Sequence, residues 1–287
     1  MYYNLIMDKP LLLIDTSYTS FYRFFAALRW YSMANKEEFE LIGTDPKYNW
    51  VENKVFMEKY EKMYLDSISK LVGKKVFKNC NILFCLDTPK MNLWRMELMK
   101  SYKGDRADLS KKNNFKPVFE YTYTTMLPKI IKDNKHINSL SIDKLEADDL
   151  IAGISLYYEK NYPKHQVYVI SGDEDFLQLG RPNLTIINYK SKKPIEMSKE
   201  EAMTALRHKI INGDKSDGIS GIIPKGTRPK PTRKQMEASQ EELDKYILTN
   251  IEVKKQYELN LKLIDFNYIP KEYITKIIDS FTKLIFF

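Results

Sequence analysis

The chain has 287 residues, with 46 Lys and Arg against 38 Asp and Glu for a net charge of +8, and 43% of it is apolar. That apolar share supports a sizeable core and excludes disorder over the whole length, while the length admits one large domain or two closely joined ones. No apolar run reaches the roughly 18 residues of a membrane-crossing helix, "MYYNLIMDKPLLLID" lacks the flank and cleavage site of a signal peptide, and Cys80 and Cys85 are too few for a disulfide framework, so a soluble, cytoplasmic chain is expected.

In chain order, five short apolar runs read as buried strands: "LLLID" (11–15), "NILFCLD" (81–87), "INSLSID" (137–143), "VYVISGD" (167–173) and "LTIINY" (184–189). Helical spacing fills the intervals, over 51–72 through Val51, Val55, Tyr64 and Ile68, and over 147–158 through Leu150, Ile151, Ile154 and Tyr158. Strands alternating with helices predict an α/β fold, a mostly parallel central sheet flanked by helices. From about 198 the strands stop. The expected division is an α/β domain over 1–197 and a smaller helical C-terminal region over 198–287, broken by a loop rich in Gly, Pro and basic residues. No internal repeat is evident.

Acids recur at the strand ends. Asp15 and Asp87 close the first two strands, Glu146 and Asp148 open the helix after the third, and Asp173 closes the fourth with Asp175 two residues on. A parallel sheet brings the C-terminal ends of its strands to one edge, where such folds place their sites. One acid after a strand is an ordinary helix cap, as Asp149 in "LEADD" is read to be, but capping preference does not explain four strand ends in register. Asp214 and Asp217, three apart in "INGDKSDGI", share a face of a turn or helix start. Carboxylates crowded together repel, and divalent cations remove the conflict. The ligands are oxygen throughout, and none of the three histidines, His136, His165 and His208, is near these acids in sequence, which favours Mg²⁺ or Mn²⁺ over zinc and disfavours a histidine base. Such a set suits phosphodiester hydrolysis with two ions about 4 Å apart.

Setting those eight acids aside leaves 46 basic against 30 acidic residues. Two stretches concentrate the excess. The first, 94–116, holds Arg95, Lys100, Lys103, Arg106, Lys111, Lys112 and Lys116, with Tyr102 among them as a ring for an unpaired base. The second, 206–234, holds Arg207, Lys209, Lys215, Lys225, Arg228, Lys230, Arg233 and Lys234 among Gly and Pro residues, and reads as a sequence-independent, salt-sensitive grip on a duplex backbone.

"LEADD", "SGDEDF" and "GDKSDGI", preceded by "LLLID" and "FCLD", resemble the 5′-nuclease family, which includes flap endonucleases and the 5′-nuclease domains of bacterial DNA polymerases. The resemblance extends from about residue 10 to 275 and includes "WRMELMKSYKGDR" and "YELNLKLIDFNYIP". It implies a Mg²⁺-dependent, monomeric 5′→3′ exonuclease and flap endonuclease with ribonuclease H activity, acting on 5′ flaps, 5′ ends and RNA·DNA hybrids to remove primers during lagging-strand replication. A sliding clamp and a single-strand-binding protein are the implied partners. Carried over by position, Asp15, Asp87 and Glu146 serve a first metal, Asp148 stands between the two, Asp173, Asp175 and Asp217 hold the second, and Asp214 acts through water. Lys103 and Arg95 meet the scissile phosphate, and 99–116 is the arch or bridge over the 5′ strand. The sequence departs from many members by lacking a second compact glycine pair after "GDKSDGI".

Other readings are weaker in the residues. A haloacid dehalogenase-type phosphatase needs a second Asp two places after the first, where Ser17 stands. A PIN-type ribonuclease shares the acid cluster but has no use for the long basic insertion. A non-catalytic DNA-binding replication scaffold has no electrostatic need for the acids. The tail "FTKLIFF" (281–287) either docks on a sliding clamp or buries Phe281, Leu284 and Ile285, and the second is preferred.

Overall fold

In the computed structural model, which describes residues 9–43, 45–89, 92–104, 114–223, 236–237, 239–248, 250–284 and 286, the five apolar runs are five parallel strands. They are β1 (Leu11–Asp15), β2 (Asn81–Cys85), β3 (Ile137–Leu140), β4 (Val167–Ile170) and β5 (Leu184–Ile187), and β6 (Pro194–Ile195) runs antiparallel at the edge. The sheet order is β3-β2-β1-β4-β5-β6. Leu13 lies opposite Leu83 on one side and Val169 on the other.

The two-residue period of a strand divides its side chains between two cores. Leu11, Leu13, Leu83, Val167 and Val169 face the cluster built on α8 (Ala147–Asn161). Leu12, Ile14, Ile82 and Phe84 face the cluster built on α1 (Thr16–Ala34) and α3 (Lys54–Val72), where Phe24, Phe56, Tyr60 and Tyr64 are fully enclosed. Burial on both faces is why these strands read as continuous apolar runs. Cys80 and Cys85 are free and buried.

The first strand ends at Asp15 as expected, but β2 to β5 stop two or three residues before the sequence suggests, because Asp87, Asp173 and Tyr189 already belong to the segments leaving the sheet. Strand structure also returns beyond 198, where β7 (Gly213–Asp214) and β8 (Ile219–Ser220) pair antiparallel. Two-residue ladders are too short to show an alternation. Gly213 is required there, since it has φ +71° and a Cβ would meet the Ile219 carbonyl oxygen at 2.4 Å.

The C-terminal region begins with α9 (Lys199–Asn212), capped by Ser198 and Glu201. The helices Gln240–Ile247, Ile251–Ile264 and Lys271–Thr282 follow. Ile210, Ile219, Leu263 and Ile264 share a core with Leu93 and Tyr102. Tyr273, Ile277, Phe281 and Phe286 pack into the α8 cluster, with Leu284 against it, so the described apolar side chains of the tail are held at the core. Ile285 and the N-terminal segment 1–8 lie outside the described residues. No described helix is long and apolar enough to cross a membrane.

Candidate active site

From β1 the chain crosses to β2 on one side of the sheet and later returns to β4 on the other, so the crossovers part between the ends of β1 and β4. Beyond those ends lies an open cleft of about 760 Å³. Asp15, Asp87, Asp148, Asp173 and Asp214 line it, as does Glu174, which sequence spacing did not single out. Ser17, Tyr18, Lys103, Lys209 and Lys215 share the wall. His208 also borders the cleft, contrary to its distance from the acids in sequence; its Nε2 stands 3.6 Å from a Glu237 carboxylate oxygen.

Four of these acids are fixed by their local fold. Asp15 caps α1, accepting from the Tyr18 backbone N–H at 3.0 Å and from Ser171 Oγ at 2.8 Å. Asp87 accepts from the Ala147 N–H at 2.8 Å, which ties the end of β2 to the start of α8. Asp173 accepts from the Asp175 N–H at 2.9 Å, capping a short 3₁₀ turn. Asp214 accepts from the backbone and hydroxyl of Ser216, each at 2.7 Å, and pairs with Lys209 at 2.8 Å.

Crowding shifts the proton equilibria. Burial, reinforced by Asp87, raises Asp15 from 3.8 to about 7. Asp148 is pushed well above the usual carboxylate range by burial, opposed by Lys103 and aided by Glu146. Asp173 is raised by its recessed position in the cleft, with Lys209 opposing. Asp214 goes the other way: burial works against its charge, but Lys209 and Ser216 hold it down at about 2.

Three of the predicted acids do not line the cleft and are held by cations, of which Lys103 and Lys209 also share its wall. Glu146 is 4% exposed; it accepts from Tyr102 Oη at 3.0 Å and pairs with Arg95 at 3.3 Å and with Lys103. Asp217 stands 3.8 Å from the Lys103 ammonium, and its carbonyl accepts from the Lys103 N–H at 2.9 Å. Asp175 pairs with Lys209. Lys103 is a non-glycine residue with a left-handed backbone, φ +56°. Lys209 was assigned by sequence to a duplex grip and instead joins Asp175 to Asp214; its place five residues before Asp214 was the available signal.

Two expectations from the basic run are corrected. Arg95 is 3% exposed and cannot meet a phosphate where it stands: it pairs with Asp149 at 2.8 Å and donates from Nε to the Leu263 carbonyl at 3.0 Å. Tyr102, expected to offer its ring to a base, is 2% exposed among Leu93, Ile210 and Leu263. The helix Ile251–Ile264 covers both, a long-range packing that local composition does not reveal. Asp149 completes a capping box with Glu146 and accepts from Trp94 Nε1 at 3.1 Å. Lys100 and Lys215 are exposed, whereas Arg106, Lys225, Arg228 and Lys230 lie outside the described residues.

As the side chains stand, no three Asp, Glu, His or Cys among the described residues enclose an ion. The cleft nevertheless fits a hard divalent cation. Its predicted donors are all carboxylates, and three of them resist ionisation chiefly because they are buried, a cost that a bound cation would offset.

A family model for the 5′-3′ exonuclease N-terminal resolvase-like domain matches residues 10–207. The chain is 28% identical over 252 residues to the ribonuclease H of Enterobacteria phage T4, covering 80% of this chain and 79% of that one, in line with the resemblance to a T-even bacteriophage ribonuclease H in "WRMELMKSYKGDR" and "INGDKSDGI". A 5′-3′ exonuclease of Buchnera aphidicola (subsp. Schizaphis graminum) is 28% identical over 164 residues, 55% of this chain and 53% of that one. In fold, the chain is similar to T5 5′-exonuclease with bound divalent metal ions (zinc), with TM-score 0.61, 16% identity, and 96% and 98% of the two chains covered. A T5 flap endonuclease in a pseudo-enzyme–product complex with DNA and metal ions gives TM-score 0.59 at 16% identity, with the same coverage.

Proposed function

Since the chain belongs to the 5′-3′ exonuclease family through its N-terminal resolvase-like domain, we propose that it cuts phosphodiesters at 5′ ends and 5′ flaps of DNA and in the RNA strand of RNA·DNA hybrids. Removal of primers and flaps during lagging-strand replication is the task that this combination serves. The observation that carries the reading is the convergence of Asp15, Asp87, Asp148 and Asp173, from four strand ends, on one cleft that also holds the Lys103 ammonium.

Mg²⁺ is the proposed cofactor, as two ions with Mn²⁺ as a substitute; when bound they supply Lewis acidity at the phosphate and a water of lowered pKa. Asp15, Asp87, Asp148 and Asp173 are the assigned direct ligands, and Asp214 acts through water. Glu146, Asp175 and Asp217, paired with Lys103 and Lys209 in the free protein, would be available as further ligands if those lysines turned to phosphate oxygens. Lys103 is thus a counterion in the free protein and a phosphate contact in the complex. Arg95 is a positioning residue that holds Glu146 and Asp149 in place. Exposed Lys100 and Lys215 flank the path of the nucleic acid. Docking on a clamp through 281–287 is not proposed, because Phe281 and Phe286 are already buried.

The test is a 5′-labelled flap duplex and an RNA·DNA hybrid, incubated with Mg²⁺ or with EDTA, with product lengths resolved. Short 5′ products that require Mg²⁺ support the reading. Binding without cleavage in either condition would make the protein a scaffold.

A further inference from the structure

A second pocket, of about 270 Å³, lies behind Tyr18 and away from the acids; it is lined by Tyr22, Arg23, Ser67, Lys70, Leu71, Tyr189 and Lys192. No carboxylate among the described residues lines it. Arg23 is 8% exposed, and its Nε is without a hydrogen-bond partner. Among the described residues it makes no ion pair with an acid. Its guanidinium carbon stands 4.6 Å from the centre of the Tyr22 ring and 4.8 Å from that of Tyr189, and the two rings stack at 4.7 Å. Ring contacts offset only part of the cost of withdrawing a guanidinium from water, so the pocket favours an anion. Lys192 adds charge at the rim; Lys70 adds less, because it pairs with Asp66 at 2.7 Å.

We propose that this pocket binds a phosphate group, which Arg23 meets edge-on while the tyrosine rings hold the guanidinium plane. Its position names the source. Tyr18 lines the acidic cleft and packs against both Tyr22 and Tyr189, at 6.5 and 5.9 Å between ring centres, so one aromatic layer divides the two sites. A strand leaving the cleft over Tyr18 would set a backbone phosphate here. The pocket's preference for phosphate stands on Arg23 alone, whereas the strand as its source rests on the nuclease reading.

Two arms separate these claims, using the full-length chain and the variants Arg23→Gln and Lys192→Gln. In the first, melting temperature is read in inorganic phosphate and in chloride of equal ionic strength. Phosphate is expected to raise it in the wild type and much less in Arg23→Gln; an equal response in both proteins overturns the anion site. In the second, affinity for a 5′-flap duplex is measured in EDTA over a range of salt. Arg23→Gln is expected to weaken binding and to flatten the log K against log[salt] slope by about 0.7–0.9, the loss of one phosphate contact. An unchanged slope, with the first arm positive, overturns the strand as source and leaves free phosphate as the ligand. Lys192→Gln, at an exposed residue, should flatten the slope in the same direction even if Arg23→Gln does not fold, and its failure to do so likewise counts against the strand. A protein that cuts nothing would still respond to phosphate in the first arm.

Discussion

Asp15→Asn should make the ion-free protein more stable while ending its activity. Asp15 is 8% exposed, and its pKa rises from 3.8 to about 7 through burial and the nearby Asp87. In the unfolded chain the carboxyl ionises near 3.8, so the folded state binds the extra proton between pH 4 and pH 7, and stability falls as pH rises through that window. At 1.36 kcal/mol for each tenfold change in proton affinity, the penalty is about 4 kcal/mol above pH 7, below about 2 kcal/mol near pH 5, and about 0.5 kcal/mol at pH 4. Asparagine removes the charge and keeps the bond from the Tyr18 N–H, but it disturbs the bond from Ser171, a loss of about 1 kcal/mol. The expected net gain is therefore about 2–3 kcal/mol at pH 8 and close to zero at pH 4.5. Urea unfolding in EDTA at those two pH values measures it. A variant no more stable than the wild type at pH 8, or a gain that does not shrink toward pH 4.5, would refute the claim that burying the Asp15 charge beside Asp87 strains this cleft.

Asp148→Asn is expected to abolish Mg²⁺-dependent cutting and to leave DNA affinity in EDTA equal or higher, since an anion facing phosphate is lost; anisotropy with a labelled flap reads the affinity. Arg95→Met should lower unfolding free energy by about 3–5 kcal/mol, because it leaves the buried Asp149 and Glu146 without their shared cation, and denaturant unfolding checks this. Lys103→Ala should reduce kcat far more than it raises the Kd for DNA, and equal losses in the two would make Lys103 a binding contact only.

The architecture was legible because buried parallel strands carry an unbroken apolar signature, and the acids at their ends were legible because a parallel sheet brings those ends together. What sequence could not supply was the partner of each charge. Glu146, Asp175 and Asp217 resemble Asp15 and Asp148 in spacing, yet they turn toward Lys103 and Lys209, which arrive from a loop and a helix whose approach depends on the tertiary fold. Arg95 and Tyr102 sit in a run that reads as surface, and distant segments, among them the helix Ile251–Ile264, enclose them. The ladder of Gly213–Asp214 with Ile219–Ser220 is too brief to leave a periodic trace.

The backbone at Lys103 has a consequence of its own. At φ +56° a side chain costs about 1 kcal/mol or more that glycine would not incur. Lys103→Gly should therefore relax the backbone at that residue, while the same substitution strips Glu146 of one of its cations, so the two effects oppose each other. The conformation tolerated at this position also aims the ammonium: the turn that strains the main chain is what delivers the charge to the cleft wall, and a relaxed backbone there would point it elsewhere.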